Sequence, residues 1–140
     1  MKLRIKGNAL RLRLTQGEIR ALADTGQVQE RTEFPGGGQL IYRLRSDDEI
    51  SELSVGYSGN IIEFRVPSAL AQRWCGTDLV TLSAAPRVGA DTVQLVLEKD
   101  YACRVPRVGE DERDQFSHPG AAQGRRGCLA RSSARRRRAV

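Results

Sequence analysis

A chain of 140 residues with 39% hydrophobic residues and 14 glycines has the composition of an ordinary folded domain, which excludes collagen-like, wholly disordered and multidomain organisation. The net charge of +6, from 23 Lys+Arg against 17 Asp+Glu, points toward nucleic acid or an anionic surface until its distribution is read. Residues 121–140 carry seven arginines and no acid, so residues 1–120 hold 16 bases against 17 acids, a balance of −1.

The N-terminus reads as a hairpin. Met1, Leu3 and Ile5 alternate with Lys2, Arg4 and Lys6, Gly7-Asn8 suits a two-residue turn, and Leu10, Leu12 and Leu14 alternate with Arg11 and Arg13. That turn sets Ile5 opposite Leu10 and Leu3 opposite Leu12, which collects Lys2, Arg4, Lys6, Arg11 and Arg13 on the other face. Thr15-Gln16-Gly17-Glu18 is a capping box, and Ile19, Leu22 and Ala23 give a helix an apolar side until Asp24-Thr25-Gly26. Strands over about Gln27 to Phe34 and Gln39 to Arg45 follow, joined across Pro35-Gly36-Gly37-Gly38.

The order then recurs. Leu53, Val55 and Tyr57 alternate toward Gly59-Asn60, whose turn sets Tyr57 opposite Ile62 and Val55 opposite Phe64. Pro67 opens a second helix with Leu70, Ala71, Trp74 and Cys75 on one side, and strands follow near Leu79 to Ala84 and Thr92 to Glu98. With a constant spacing of 52, seven of the 42 pairs between residues 7–48 and 59–100 are identical, Gly7/Gly59 and Asn8/Asn60 among them. The expected fold is α+β: a tandem ββαββ duplication over residues 1–98, with halves 1–48 and 53–100, forming an antiparallel sheet or barrel with two packed helices. Residues 99–120 read as an irregular acidic segment, and residues 121–140 as a disordered Arg-rich tail.

The segments KxRxxGNxxRLRLTxxE at the N-terminus, EKDxxC at Glu98 to Cys103 and EDxxDxF at Glu110 to Phe116 resemble a family of short bacterial proteins classed as a domain of unknown function. The resemblance spans about residues 1–119 and implies no activity or catalytic residue. The tail lies outside it, and reads either as an arm binding nucleic acid weakly through phosphate neutralisation or as an idiosyncratic extension.

Five like charges on one hairpin face repel unless they meet water, acids or an anionic ligand. Lys2, Arg4, Lys6, Arg11 and Arg13 are therefore the candidate anion-binding residues, against the plainer reading of a solvated face with protective edge lysines. Were the sheet closed with this face inward, the chain would resemble the triphosphate-tunnel enzymes and act on phosphate esters or polyphosphate. Those enzymes carry an ExExK-like strand where this chain has Lys2-x-Arg4-x-Lys6, and Glu30, Glu33, Glu63 and Glu98 are left as scattered acids. A second cluster, Glu98, Asp100, Cys103, Glu110, Asp111, Glu112, Asp114 and His118, matches no EF-hand or zinc spacing and reads as a solvated acidic tail folding over the basic hairpin.

Seven aromatics, of which Trp74, Phe64 and Tyr57 take core-facing positions, leave no base-stacking platform. Cys75, Cys103 and Cys128 form no CxxC, and Cys75 reads as core, not as a nucleophile. No metal site or cofactor is expected. No segment approaches a membrane span or a signal peptide, so the expectation is a cytoplasmic binding or interaction module without catalysis, whose partner is an anionic small molecule or a protein.

Overall fold

The computed structural model describes residues 1–101 and 113–117. The chain begins with a hairpin of β1 (Lys2–Lys6) and β2 (Ala9–Leu14), then α1 (Gln16–Thr25) and a second hairpin of β3 (Gln27–Glu33) and β4 (Gln39–Asp47). β5 (Ser54–Ser58), β6 (Ile61–Pro67) and α2 (Ser68–Gly76) repeat that order, and β7 (Thr81–Ala84) and β10 (Gln94–Lys99) complete it. A two-residue ribbon, β8 (Arg87–Val88) with β9 (Asp91–Thr92), stands between β7 and β10 and has no counterpart in the sequence expectation.

Local chemistry explains the starts and stops. Thr15 caps α1: its hydroxyl accepts from the Glu18 amide, and the Glu18 carboxylate accepts from the Thr15 amide at 2.9 Å. Gly26 ends α1 with φ +79°, a left-handed conformation that glycine adopts at little cost, and its amide donates to the Leu22 carbonyl. α2 follows Pro67, whose fixed φ suits a helix entry and whose missing N–H costs nothing there.

The strands form two four-stranded sheets of order β1-β2-β10-β7 and β3-β4-β6-β5, here sheet I and sheet II. The α+β class with two packed helices is as expected, but each half's hairpins lie in different sheets. The first hairpin of one half pairs with the second hairpin of the other, so replacing β1, β2, β10, β7 by β5, β6, β4, β3 turns one sheet order into the other. The outer pairs are antiparallel, while the central pairs β2/β10 and β4/β6 are parallel. Period-2 alternation specifies which face of a strand is buried and not which strand lies beside it, so the exchange was not readable from the pattern.

Both apolar faces and both helices share one core. Leu12, Leu14, Leu44, Phe64, Val66, Trp74, Leu95 and Leu97 are wholly or almost wholly buried, joined by Ile19 and Leu22 of α1. The Trp74 indole N–H, buried with its ring, donates to the Val80 carbonyl at 3.1 Å. Among the described residues, no helix is long and apolar enough to cross a membrane.

Candidate functional site

In β1 and β2 the register is Lys2↔Arg13, Leu3↔Leu12, Arg4↔Arg11, Ile5↔Leu10 and Lys6↔Ala9, as the Gly7-Asn8 turn requires. Lys2, Arg4, Lys6, Arg11 and Arg13 therefore share one face, and it is the face turned away from the buried leucines. They are brought together on the outside of sheet I, not around an enclosed channel. Strand β10 lies beside β2 with Val96 next to Arg11 and Glu98 next to Arg13. Arg13 Nε donates to Glu98 Oε2 at 3.0 Å, Arg11 Nη1 stands 3.5 Å from Glu98 Oε1, and Lys2 Nζ stands 3.2 Å from Asp100 Oδ2. Among the described residues no carboxylate pairs with Arg4 or Lys6. These two and Arg11 line a shallow groove of about 270 Å³ whose floor includes Ala9, Gln94 and Val96.

The corresponding face of sheet II is built differently. On the adjacent strands β4 and β6, Arg43 stands in register with Glu63, Arg45 with Arg65 and Asp47 with Pro67. Arg43 and Arg45 bridge Glu63 at 3.2 and 3.5 Å, and Arg45 and Arg65 bridge the buried Asp47 at 3.2 and 3.6 Å. Three arginines thus share two acids there, whereas among the described residues of sheet I Lys2, Arg11 and Arg13 meet Glu98 and Asp100 while Arg4 and Lys6 meet no carboxylate. Of the sheet I cations only Arg13 has a cationic counterpart 52 residues on, Arg65; Lys2, Arg4, Lys6 and Arg11 correspond to Ser54, Gly56, Ser58 and Glu63. The four glutamates weighed from the sequence do not converge: Glu98 serves sheet I, Glu63 serves sheet II, Glu33 pairs with Arg31, and Glu30 lies 3.3 Å from the Met1 amino group.

A second concavity was not anticipated from sequence. At the end of the core away from the helices, close to the Gly7-Asn8 and Gly59-Asn60 turns, the sheets part around a cleft of about 570 Å³. Leu10 of sheet I, Val55 and Ile62 of sheet II, and Val88 and Val93 at the ribbon line it, with Arg87 as the one charged lining residue. Tyr57, expected in the core, also lines it and is 69% exposed. Alternation correctly put its ring on the same side as Val55, but depth along that face depends on whether the opposite sheet covers it, and at this end it does not. Apolar alternation running up to both turn dipeptides was the available signal.

The C-terminal acids divide. Glu98 and Asp100 meet cations of the hairpin, in keeping with the expected mutual neutralisation. Asp114 instead docks on the start of α1, where its carboxylate accepts from Thr15 Oγ1 at 2.7 Å and from the Gly17 amide at 3.1 Å. Asp114 is exposed, as expected of a solvated acid, but it lies on the helix start and not over the basic hairpin: the unpaired amides of a helix N-terminus attract a carboxylate more specifically than a solvated sheet face does. Asp100, expected to be solvated, is instead buried. Phe116 packs beside the Tyr101 ring and beneath the Lys99 ammonium, whose Nζ is 5.5 Å from the ring centre and donates to the Thr77 carbonyl. Cys103, Glu110, Asp111, Glu112, His118 and the whole Arg-rich tail lie outside the described residues. Among the described residues no group of His, Cys, Asp and Glu could hold a metal ion.

Cys75 sits between the helices, half-buried, in a groove lined also by Leu22, Gly26, Ser46 and Asp48. Burial pushes its thiol up from the ordinary value and Lys99 only partly opposes this, so it lacks the lowered pKa of a nucleophilic cysteine. The Tyr42 phenol is likewise pushed up, by burial and then by Glu30 and Glu18, while its hydroxyl donates to the Met1 carbonyl.

No curated protein and no solved structure matches the chain. A family model does: its match runs over residues 1–120, taking in both sheets, both helices and the Asp114 contact and stopping before the Arg-rich tail. The chain belongs to that family, a family of unknown function (DUF7009).

Proposed function

We propose that this protein is a noncatalytic binding module that holds an anionic ligand, of the phosphate or polyphosphate class, on the outer face of sheet I. The observation that carries this reading is the groove lined by Arg4, Lys6 and Arg11, in which Arg4 and Lys6 have no carboxylate partner among the described residues. The equivalent face of sheet II supports it by contrast, because Glu63 stands there at the position of Arg11 and neutralises its arginines. Two guanidinium groups and an ammonium on adjacent strands offer forked and point donors to phosphate oxygens in one place. Three widely spaced cysteines, an odd number, do not read as a disulfide framework, which suits a reducing cytoplasm.

Titration calorimetry of the full chain with tripolyphosphate at 50 and 200 mM salt tests this. Tripolyphosphate is expected to bind saturably to the wild type, and the double variant Arg4→Ala/Lys6→Ala is expected to lose at least tenfold in affinity. A control in which Arg135 to Arg138 are all replaced by alanine reports the tail. Equal loss in the control, with none in the double variant, would overturn the reading.

A further inference from the structure

We infer that the cleft between the two sheets is a binding site for a single-chain amphiphile with an anionic head, of the long-chain carboxylate class, separate from the anion face of sheet I. Its volume of about 570 Å³ falls inside the roughly 300–1,000 Å³ of small-molecule pockets, and its lining has their chemistry: apolar side chains with a few polar groups that set orientation. Leu10, Val55, Ile62 and Val93 form apolar wall, and Val88 and Tyr57 extend it into solvent at 57% and 69% exposure. Two of the four large hydrophobic side chains exposed among the described residues thus line this one cleft. A folded chain gains nothing by leaving such groups in water beside a concave apolar wall, and a ligand chain laid between them removes both from solvent.

The head group follows from the charge. Arg87 is the one charged lining residue, no acid lines the cleft, and no carboxylate among the described residues pairs with Arg87. A carboxylate head would take its guanidinium in a forked pair, while an ammonium head would find no counter-ion. The ribbon carrying Arg87 and Val88 is the element that the second half has and the first lacks, and it places the cation at only one of the two sheet ends.

The test uses the full chain with laurate below its micelle concentration, beside dodecanol and dodecyltrimethylammonium, by displacement of a fluorescent fatty-acid probe. Laurate is expected to displace the probe at a stoichiometry of one, dodecanol about tenfold more weakly, and the ammonium amphiphile not at all. Arg87→Gln should weaken laurate about tenfold and leave dodecanol unchanged. Val88→Asp, on an exposed residue, should weaken both. Failure of laurate to bind, equal displacement by the ammonium amphiphile, or loss of laurate in Arg4→Ala/Lys6→Ala but not in Arg87→Gln would overturn the inference. So would capture of an extended valine-rich peptide along β5 by a protein that does not bind laurate. Arg87 and Val88 are exposed, and the comparison of the three amphiphiles on the wild type needs no variant at all.

Discussion

Asp114 lies against Gly17 so closely that a Cβ at Gly17 would stand 2.8 Å from Asp114 Oδ2. The absent side chain lets the carboxylate reach the Gly17 amide and the Thr15 hydroxyl together, while the Gln16 amide donates to the Asp114 carbonyl at 2.9 Å. A residue 97 positions away thus supplements the local capping box, and Gln16 Nε2 reinforces it by donating to the Gln115 carbonyl. The helix start and the segment 113–117 hold one another in place.

Replacing Asp114 by alanine removes that cap. The expected cost is about 1 kcal/mol, the usual size of a helix N-terminal cap and its charge, read as a lower urea midpoint with the slope unchanged. Gly17→Ala should be nearly neutral in the wild type, because its gain in helix propensity of about 1 kcal/mol is offset by displacing the carboxylate. In the Asp114→Ala background the same change should stabilise. A double-mutant cycle that gives additive effects contradicts the contact.

Trp74→Ala should cost about 3–5 kcal/mol by emptying the ring's place in the core, and it leaves the Val80 carbonyl without its indole donor. Phe64→Ala, in the same core, should fall in the same range. Chemical denaturation of each variant measures the loss.

On the outer face of sheet I, Glu98 holds Arg11 and Arg13. Glu98→Gln keeps the shape and removes the charge, so tripolyphosphate should bind several-fold more tightly, with a steeper loss at high salt than the wild type shows. Glu63→Gln, the corresponding change near the arginines of sheet II, should leave tripolyphosphate binding at sheet I unaltered. Calorimetry at two salt concentrations separates the two variants.

Cys75 should react slowly with iodoacetamide. Its thiol is pushed above the ordinary value by burial, so in a Cys103→Ser/Cys128→Ser protein the alkylation rate should rise only at pH above that of a free cysteine. The same direction has a stability consequence: the unfolded chain ionises first, so the contribution of Cys75 is constant below the ordinary thiol value and is lost as pH rises through the folded one. A rate profile with its midpoint at or below that of free cysteine contradicts the burial.

How far the sequence could be read depended on the range of the interaction. The capping box at Thr15 and Glu18, the Gly7-Asn8 turn and the pairings Ile5↔Leu10 and Val55↔Phe64 all follow from residues a few positions apart, and each stands as the spacing required. The five cations of the first hairpin could be placed on one face for the same reason. Their surroundings could not, because Glu98 reaches Arg13 only through the parallel pairing of β2 with β10, 85 residues apart.

By itself, then, the sequence determined the elements other than the β8/β9 ribbon, their boundaries to within a few residues, which side chains of a strand share a face, and the grouping of Lys2, Arg4, Lys6, Arg11 and Arg13. Alternation and capping are properties of neighbouring residues, and steric and hydrogen-bond rules act on them directly. The tertiary structure alone decided that hairpins of different halves share a sheet, that the cationic face looks outward, that Tyr57 borders an open cleft, and that Asp114 caps α1. Each of these depends on which distant surfaces meet, and burial of one shared core decides that for the chain as a whole.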